Sequence, residues 1–174
     1  MADVVTEGQS WSVKAVKCTN PHTCKEQRVI SGRNSPDYSY GIQNPHEDIQ
    51  KTGAAVLSIW NERVNIALDQ FDSLRTTILL RNVNTLEFTL FEEETHKFIP
   101  AEYAWIINKN GNFEGINKNT HAHKFTWQPH GAQFTIKYSI PSSSVRFRIK
   151  RPPVLDFNET MQQIGFEESW VVIS

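Results

Sequence analysis

The sequence predicts a mixed α/β fold, in which one long helix crosses a mixed sheet and antiparallel hairpins follow. Three observations support this prediction. Apolar residues recur at helical spacing over 44–70, and alternating or β-branched runs lie on both sides of that segment. Beyond residue 100, short alternating runs are separated by turn signals rich in Asn, Gly and Pro. We therefore expect a core over 1–100 and a β-rich extension over 101–174, within the same compact domain.

The first elements are two strands joined by a turn. Residues 2–5 form a short strand candidate, and 6–9 contain the turn residue Gly8. The second strand covers 11–19 and alternates, with Trp11, Val13 and Ala15 on one side and Ser12, Lys14 and Val16 on the other. Residues 20–44 are rich in Pro, Gly, Asn and Ser and are predicted as loop, with one short strand at 28–31.

The long helix is predicted from Asn44 to about Gln70. Asn44 is a capping residue, Pro45 suits the first helical position, and Glu47 stands at capping-box spacing. The β-branched run at 76–80 fits a strand buried on both faces. The run at 85–91, in which Leu86, Phe88 and Leu90 alternate, fits a half-buried neighbouring strand.

The C-terminal part is predicted to form antiparallel hairpins. Their strands lie at 123–127, 133–139 and 145–149, after turn signals at 108–112 and 129–131. Asp156 or Asn158 begins a short terminal helix that runs through Ile164.

Composition and charge limit the functional classes. The chain has 174 residues, of which 39% are apolar and 21% charged, as in a folded globular protein. It contains no apolar run near the ~18 residues of a membrane span, and its N-terminus lacks the features of a signal peptide. We expect a cytoplasmic protein without membrane contact.

Charge is unevenly distributed along the chain. The formal net charge is −1, but 137–151 contains five basic residues and no acidic one, whereas 92–94 is an acidic run. This pattern suits an enzyme that holds phosphates in one place and cations in another. The same charge pattern is also compatible with many proteins that bind no DNA.

The N-terminal hairpin carries the candidate chemistry. Side chains of the same parity on adjacent antiparallel strands converge, so Asp3, Ser12 and Lys14 are expected to meet on one face. A carboxylate that holds a divalent cation, next to an ammonium group that polarises water and offsets negative charge, is the arrangement that phosphodiester hydrolysis needs. The alternative interpretation is that Asp3 and Lys14 form a surface ion pair, which contributes little to the stability of the fold.

At these residues the sequence resembles the PD-(D/E)xK nuclease superfamily, which includes most type II restriction enzymes. The motif is an Asp strand, then Glu/Asp-x-Lys on the next strand, then a helix and two strands, and it matches over roughly the first ninety residues. The resemblance implies a restriction-endonuclease-like core and a Mg²⁺-dependent endodeoxyribonuclease that acts on double-stranded DNA as a homodimer. It assigns catalysis to Asp3, Ser12, Lys14 and Glu47.

The sequence departs from the family pattern at three points. Ala2 replaces the motif proline, no helix precedes the Asp strand, and Ser12 replaces the second carboxylate. One branch of the family tolerates Ser-x-Lys and takes the missing carboxylate from the following helix. On that reading Asp3 and Glu47 hold Mg²⁺, with Glu7 as the next candidate and Glu26 or Glu62 as further possibilities. The alternatives to an intact nuclease are that the chain is a fragment, a split subunit or a non-catalytic DNA-recognition module.

The basic C-terminal hairpins are the expected DNA-binding region. Gln and Arg side chains on a two-stranded ribbon reach adenine and guanine edges, and Lys side chains contact phosphates. A solvated face over a packed Phe147 and Ile149 face is equally compatible with the pattern. The expected DNA-binding residues are Lys17, Gln128, Gln133, Lys137, Arg146, Arg148, Lys150 and Arg151.

Overall fold

Short alternating segments of this chain form two sheets, and the long amphipathic segment forms a helix that packs against both. A computed structural model describes residues 3–151 and 153–165; Ala2 and the part of the predicted extension beyond residue 165 lie outside it. The mixed α/β class is confirmed. The strands are β1 Val4–Thr6, β2 Gln9–Lys17, β3 Glu26–Arg33, β4 Ser73–Asn82, β5 Glu87–Glu94, β6 Tyr103–Ile107, β7 Phe113–Asn117, β8 His123–Gln128, β9 Gln133–Ser139 and β10 Val145–Arg148. The helices are α1 Pro36–Tyr40, α2 Ile49–Leu68 and α3 Phe157–Gln163, with a 3₁₀ turn at Pro100–Glu102.

Sheet A has the strand order β1-β2-β4-β5-β10. β2 and β4 are parallel, and the other neighbours in this sheet are antiparallel. Ser12 lies beside Thr76, which lies opposite Glu93, so these three residues share one row of the sheet. This row belongs to the inner face, where Thr76 and the other alternate residues of β4 are buried.

Sheet B is antiparallel throughout and has the order β3-β9-β8-β7-β6. α2 packs its buried face against the interior, where Trp60 meets Phe98 and Phe134 at ring-centroid distances of 6.4 and 5.9 Å. Phe125 and Phe134, both fully buried on sheet B, lie 5.5 Å apart in the same core. Burial of these aromatic rings contributes to the stability of both layers.

Several elements in the first half differ from the prediction in their bounds or type. α2 begins at Ile49 instead of Pro45, because Asp48 is the N-cap and its carboxylate accepts the backbone N–H of Lys51 at 2.9 Å. Residues 36–40, predicted as loop, form α1. The short strand at 28–31 is part of the longer β3.

The burial of β4 and β5 also differs. β4 is buried on one face and half-buried on the other. In β5 the buried residues are Thr89 and Phe91, so Phe88 and Leu90 belong to the opposite, outer face. The buried hydroxyl of Thr89 is satisfied, because it donates to the carbonyl of Pro21 at 2.8 Å.

The expected pairing of β10 with the preceding strand is wrong. β10 lies at the edge of sheet A, opposite β5, whereas β8 and β9 pair within sheet B. The ring of Phe147 in β10 stacks on Phe88 in β5 at 5.2 Å. The predicted terminal helix is confirmed as α3, with Asp156 as its N-cap.

Candidate functional site

Asp3, Ser12 and Lys14 lie together at the edge of sheet A. The backbone N–H of Asp3 donates to the carbonyl of Trp11 at 2.8 Å, which extends the β1–β2 ladder and sets Asp3 beside Ser12. Oδ2 of Asp3 accepts the backbone N–H of Val13 at 2.7 Å and the hydroxyl of Ser12 at 3.3 Å. Nζ of Lys14 lies 3.8 Å from the same oxygen.

These contacts hold the carboxylate in its charged form. The pKa of Asp3 is lowered, most strongly by the Val13 N–H. Burial opposes this shift, and the charge of Lys14 and the hydroxyl of Ser12 add smaller lowering effects. The side chain of Asp3 is half-exposed and that of Lys14 is one-third exposed. An anion arriving at this edge therefore meets one fixed negative charge and one accessible ammonium group.

Lys14 and Ser12 also line a small polar pocket between the two sheets. Its volume is about 20 Å³, which is room for one water molecule. The lining includes the indole of Trp60 and several hydroxyl groups, of which Thr76 and Thr95 are 2.9 Å apart. The hydroxyl residues of the pocket are Ser10, Ser12, Ser31, Thr76 and Thr95.

Glu47 and Glu7 lie away from this cluster. Glu47 belongs to the turn before α2, where its backbone N–H donates to Asn44 and the next helical turn bonds to Trp105 of β6. Trp60, which lines the pocket, is about 16 Å further along the helix than Ile49. Glu7 is an exposed residue of the turn between β1 and β2.

The described residues contain no group of three or more His, Cys, Asp or Glu side chains arranged to hold a metal ion. Of the three predicted metal ligands, Asp3 is the one that lies next to Ser12 and Lys14. Magnesium retains several waters and is bound through one or two carboxylates plus substrate phosphates. A Mg²⁺ site here would therefore have Asp3 as its one carboxylate ligand, because Glu47 and Glu7 lie away from it.

The predicted DNA-binding residues are divided between the sheets. Gln128 and Gln133 face each other at one end of the β8–β9 hairpin in sheet B. Lys137, also on β9, forms an ion pair with Glu26 at 2.6 Å. Lys17, at the end of β2, is exposed on sheet A.

The arginines of β10 are engaged within the protein. Nε of Arg146 donates to the carbonyl of His22 at 3.1 Å, and its Nη1 donates to Ser142 at 3.2 Å. Arg148 forms an ion pair with Glu87, whose pKa is lowered by that contact. Lys150 and Arg151 follow β10 and are exposed.

Glu93, Lys124 and Tyr138 form a second polar group in the interior, which the sequence did not reveal. They line a cavity of about 220 Å³ between β5 and sheet B. Nζ of Lys124 donates to the carbonyl of Lys137 at 2.9 Å and lies 5.4 Å from the ring centroid of Tyr138. The available signal was the parity of β5, which places Glu93 on the same face as the buried Thr89 and Phe91.

No family model, curated protein or solved structure matches this chain. No helix of the described residues is long and apolar enough to cross a membrane.

Proposed function

We propose that this protein is an endodeoxyribonuclease that hydrolyses phosphodiester bonds of double-stranded DNA, with Asp3, Ser12 and Lys14 at its chemical centre. The observation that carries the proposal is the convergence of these side chains, with Lys14 Nζ 3.8 Å from Asp3 Oδ2 at an open sheet edge. Hydrolysis adds water across one P–O bond and leaves a phosphate and a hydroxyl end. A cytoplasmic location stays a prediction.

The order of elements supports the same proposal. β1 carries Asp3 at its start, β2 carries Ser12 and Lys14, and then come α2, β4 and β5. β1, β2, β4 and β5 are neighbours in one sheet. This is the sequence of strands and helix that the PD-(D/E)xK resemblance implies, interrupted here by β3 and α1.

Each side chain has a distinct role in the proposed site. Lys14 donates hydrogen bonds to a phosphate oxygen and offsets the charge that develops on it. Ser12 and the Val13 N–H fix the orientation of Asp3 and keep it ionised. Asp3 is the residue that would hold Mg²⁺, and the bound metal would supply Lewis-acid polarisation of the phosphoryl group.

A plasmid-cleavage assay of the full chain tests the proposal. Supercoiled DNA incubated with the protein and Mg²⁺ is expected to be nicked or linearised. Lys14→Ala and Asp3→Asn are expected to lower the rate by at least about a hundredfold. Lys25→Ala, at an exposed loop position, is the matched control and should leave the rate unchanged. Cleavage that survives Lys14→Ala places the activity elsewhere.

A second candidate, a non-catalytic DNA-recognition module, is favoured by one specific observation. Ser12 occupies the position of the second carboxylate, and the described residues provide no replacement near Asp3. The module predicts a shift of labelled duplex DNA with no cleavage in Mg²⁺ or Mn²⁺. If the protein neither binds nor cuts duplex DNA, both candidates are wrong.

A further inference from the structure

The only two cysteines of the chain lie next to each other in the fold. Cys18 directly follows β2, and Cys24 lies in the loop that leads to β3. Both are half-buried and pack against the hydrophobic core. Their thiols are close enough to share a hydrogen bond. Neither thiol takes part in the proposed hydrolysis, so the pair is available for other chemistry.

Backbone hydrogen bonds hold both cysteines in place. The N–H of Cys18 donates to the carbonyl of Arg81 at 3.0 Å, which continues the pairing of β2 with β4 past the end of the strand. The N–H groups of Thr23 and Cys24 both donate to the carbonyl of Asn20, at 3.2 and 3.0 Å, and close a turn between the two cysteines. The contact between the thiols is therefore a consequence of the backbone geometry on both sides.

The segment 18–24, here called the cysteine loop, is bonded to three strands of sheet A. Its carbonyl groups accept the side-chain N–H of Asn82 in β4 at 2.7 Å and the hydroxyl of Thr89 in β5 at 2.8 Å. The carbonyl of His22 accepts Nε of Arg146 in β10 at 3.1 Å, and Nε2 of His22 lies 3.1 Å from the carbonyl oxygen of Phe147. β10 is an edge strand whose ladder partner is β5, so the cysteine loop is a second support for it.

We propose that Cys18 and Cys24 form a reversible disulfide that locks the cysteine loop, and with it β10, when a low-molecular-weight disulfide such as oxidised glutathione is present. In the first step, one protein thiolate attacks a sulfur of oxidised glutathione, breaks its S–S bond, forms a mixed disulfide and releases one glutathione thiolate. In the second step, the other protein thiolate attacks the protein sulfur of the mixed disulfide and releases the second glutathione. The protein loses two electrons and two protons, and the oxidised glutathione is reduced to two thiols. The proposal does not depend on nuclease activity.

The surroundings of Cys24 set the conditions for this reaction. Burial is the largest effect that raises the pKa of the Cys24 thiol, and the hydrogen bond and the charge of Cys18 raise it further. The thiolate is the form that attacks sulfur, so the disulfide is expected to form faster as the pH rises. In a reducing environment both cysteines stay as thiols.

Tryptic mapping of the full chain tests whether the disulfide forms. Lys17 and Lys25 flank the cysteines, so trypsin releases both in the single peptide 18–25. The protein is incubated with oxidised glutathione, and its remaining thiols are alkylated with iodoacetamide before digestion. The peptide is expected to be lighter by two hydrogen atoms than its reduced form and to carry no alkyl group. A reducing agent should restore both alkylation sites.

Thermal denaturation and amide hydrogen exchange measure the effect of the bond. The disulfide restricts the unfolded chain, so the melting temperature is expected to rise by about 3–8 °C. Exchange of the β10 amides is expected to slow at least about threefold, because the locked loop holds this edge strand. The matched control is β6, the edge strand of sheet B, whose amides should exchange at an unchanged rate.

Two variants separate the disulfide from other effects of the oxidant. Cys18→Ser and Cys24→Ser, treated in the same way, should gain no thermal stability. A wild-type peptide that stays alkylated at both cysteines overturns the proposal, as does one that carries only bound glutathione or is cross-linked to a second chain. A disulfide that forms without slower exchange in β10 overturns the link between the cysteine loop and this strand.

Discussion

Nζ of Lys14 lies 3.8 Å from Oδ2 of Asp3, across the narrow hairpin that the first two strands form. The same oxygen accepts the backbone N–H of Val13, which is the strongest of the interactions that lower the pKa of Asp3. Asp3 is therefore a fixed anion next to a partly exposed cation. This local arrangement leads to the first prediction.

Ser12→Ala is expected to raise the pKa of Asp3 toward its ordinary value of 3.8, because the variant loses one hydrogen bond to the carboxylate. In the wild type the folded-state pKa is below the unfolded one. Asp3 therefore stabilises the fold above about pH 4, and this contribution is lost as the pH falls through the folded-state pKa. NMR titration of the Asp3 carboxyl carbon measures the shift.

Ser31→Ala is the control for that titration, because Ser31 lines the same pocket from sheet B. It should leave the titration midpoint of Asp3 unchanged. An Asp3 midpoint at or above 3.8 in the wild type would contradict the bonding seen at Oδ2.

The meeting of Asp3, Ser12 and Lys14 was predictable because it depends on local pairing. Parity along two adjacent strands sets which side chains converge, and a short turn sets the register. The position of Glu47 was not predictable in the same way. Asn44 and Asp48 are both N-cap residue types, and the helix begins where Asp48 accepts the N–H of Lys51, so Glu47 stays in the turn before it.

The partner of β10 was not predictable either, because it depends on contacts between distant segments. Sequence proximity favoured a hairpin with β9, but Phe147 stacks on Phe88 and Arg146 donates to the carbonyl of His22. The resulting row of Ala15, Leu79, Leu90 and Val145 on the outer face of sheet A joins residues from four separated strands. No single segment of the sequence carries that pattern.

The second prediction concerns Asn34, a fully buried residue directly after β3. Its Nδ2 donates to the carbonyl of Val56 in α2, and its Oδ1 accepts a guanidinium N–H of Arg63, both at 2.7 Å. Asn34→Ala removes both bonds, and Arg63 keeps the bond of its other guanidinium nitrogen to the carbonyl of Arg33. The free energy of unfolding is expected to fall by about 2–3 kcal/mol.

Urea denaturation measures this change. Asn84→Ala, at an exposed turn position, is the matched control and should alter the free energy of unfolding by less than about 0.5 kcal/mol. Equal losses for the two variants would mean that the buried bonds of Asn34 contribute nothing specific.

The third prediction concerns Gly53 in α2, which is buried against the indole of Trp105. A Cβ at position 53 would lie 2.3 Å from the Trp105 ring. Replacing glycine by alanine inside a helix normally stabilises it by about 1 kcal/mol. Here Gly53→Ala is expected to cost about 1–3 kcal/mol, because the ring is itself buried and has no room to move.

Thermal and urea denaturation of two further variants separate the causes. Asn65→Ala, on the exposed side of the same helix, should be neutral or slightly stabilising. Trp105→Phe combined with Gly53→Ala should recover part of the loss, since the smaller ring makes space. Stabilisation by Gly53→Ala alone would show that Trp105 does not pack where the structure has it.

The fourth prediction concerns Lys124, which is largely buried between the sheets. Burial lowers its pKa, and the charges of Glu93 and Glu26 oppose that shift. Glu93→Gln is therefore expected to lower the pKa of Lys124 further. Because the folded-state pKa is below the unfolded value of 10.5, the fold is least favoured below the folded-state pKa and gains stability as the pH rises through that interval.

NMR titration of the lysine side chains measures the first effect, and urea denaturation against pH measures the second. Lys124→Met removes the titrating group, so the gain in stability with rising pH should become smaller in that variant. Lys109→Met, at an exposed turn position, should keep the wild-type pH profile. If Glu93→Gln raises the pKa of Lys124, the carboxylate does not act on this amine, and the polar group between the sheets is not coupled as its geometry indicates.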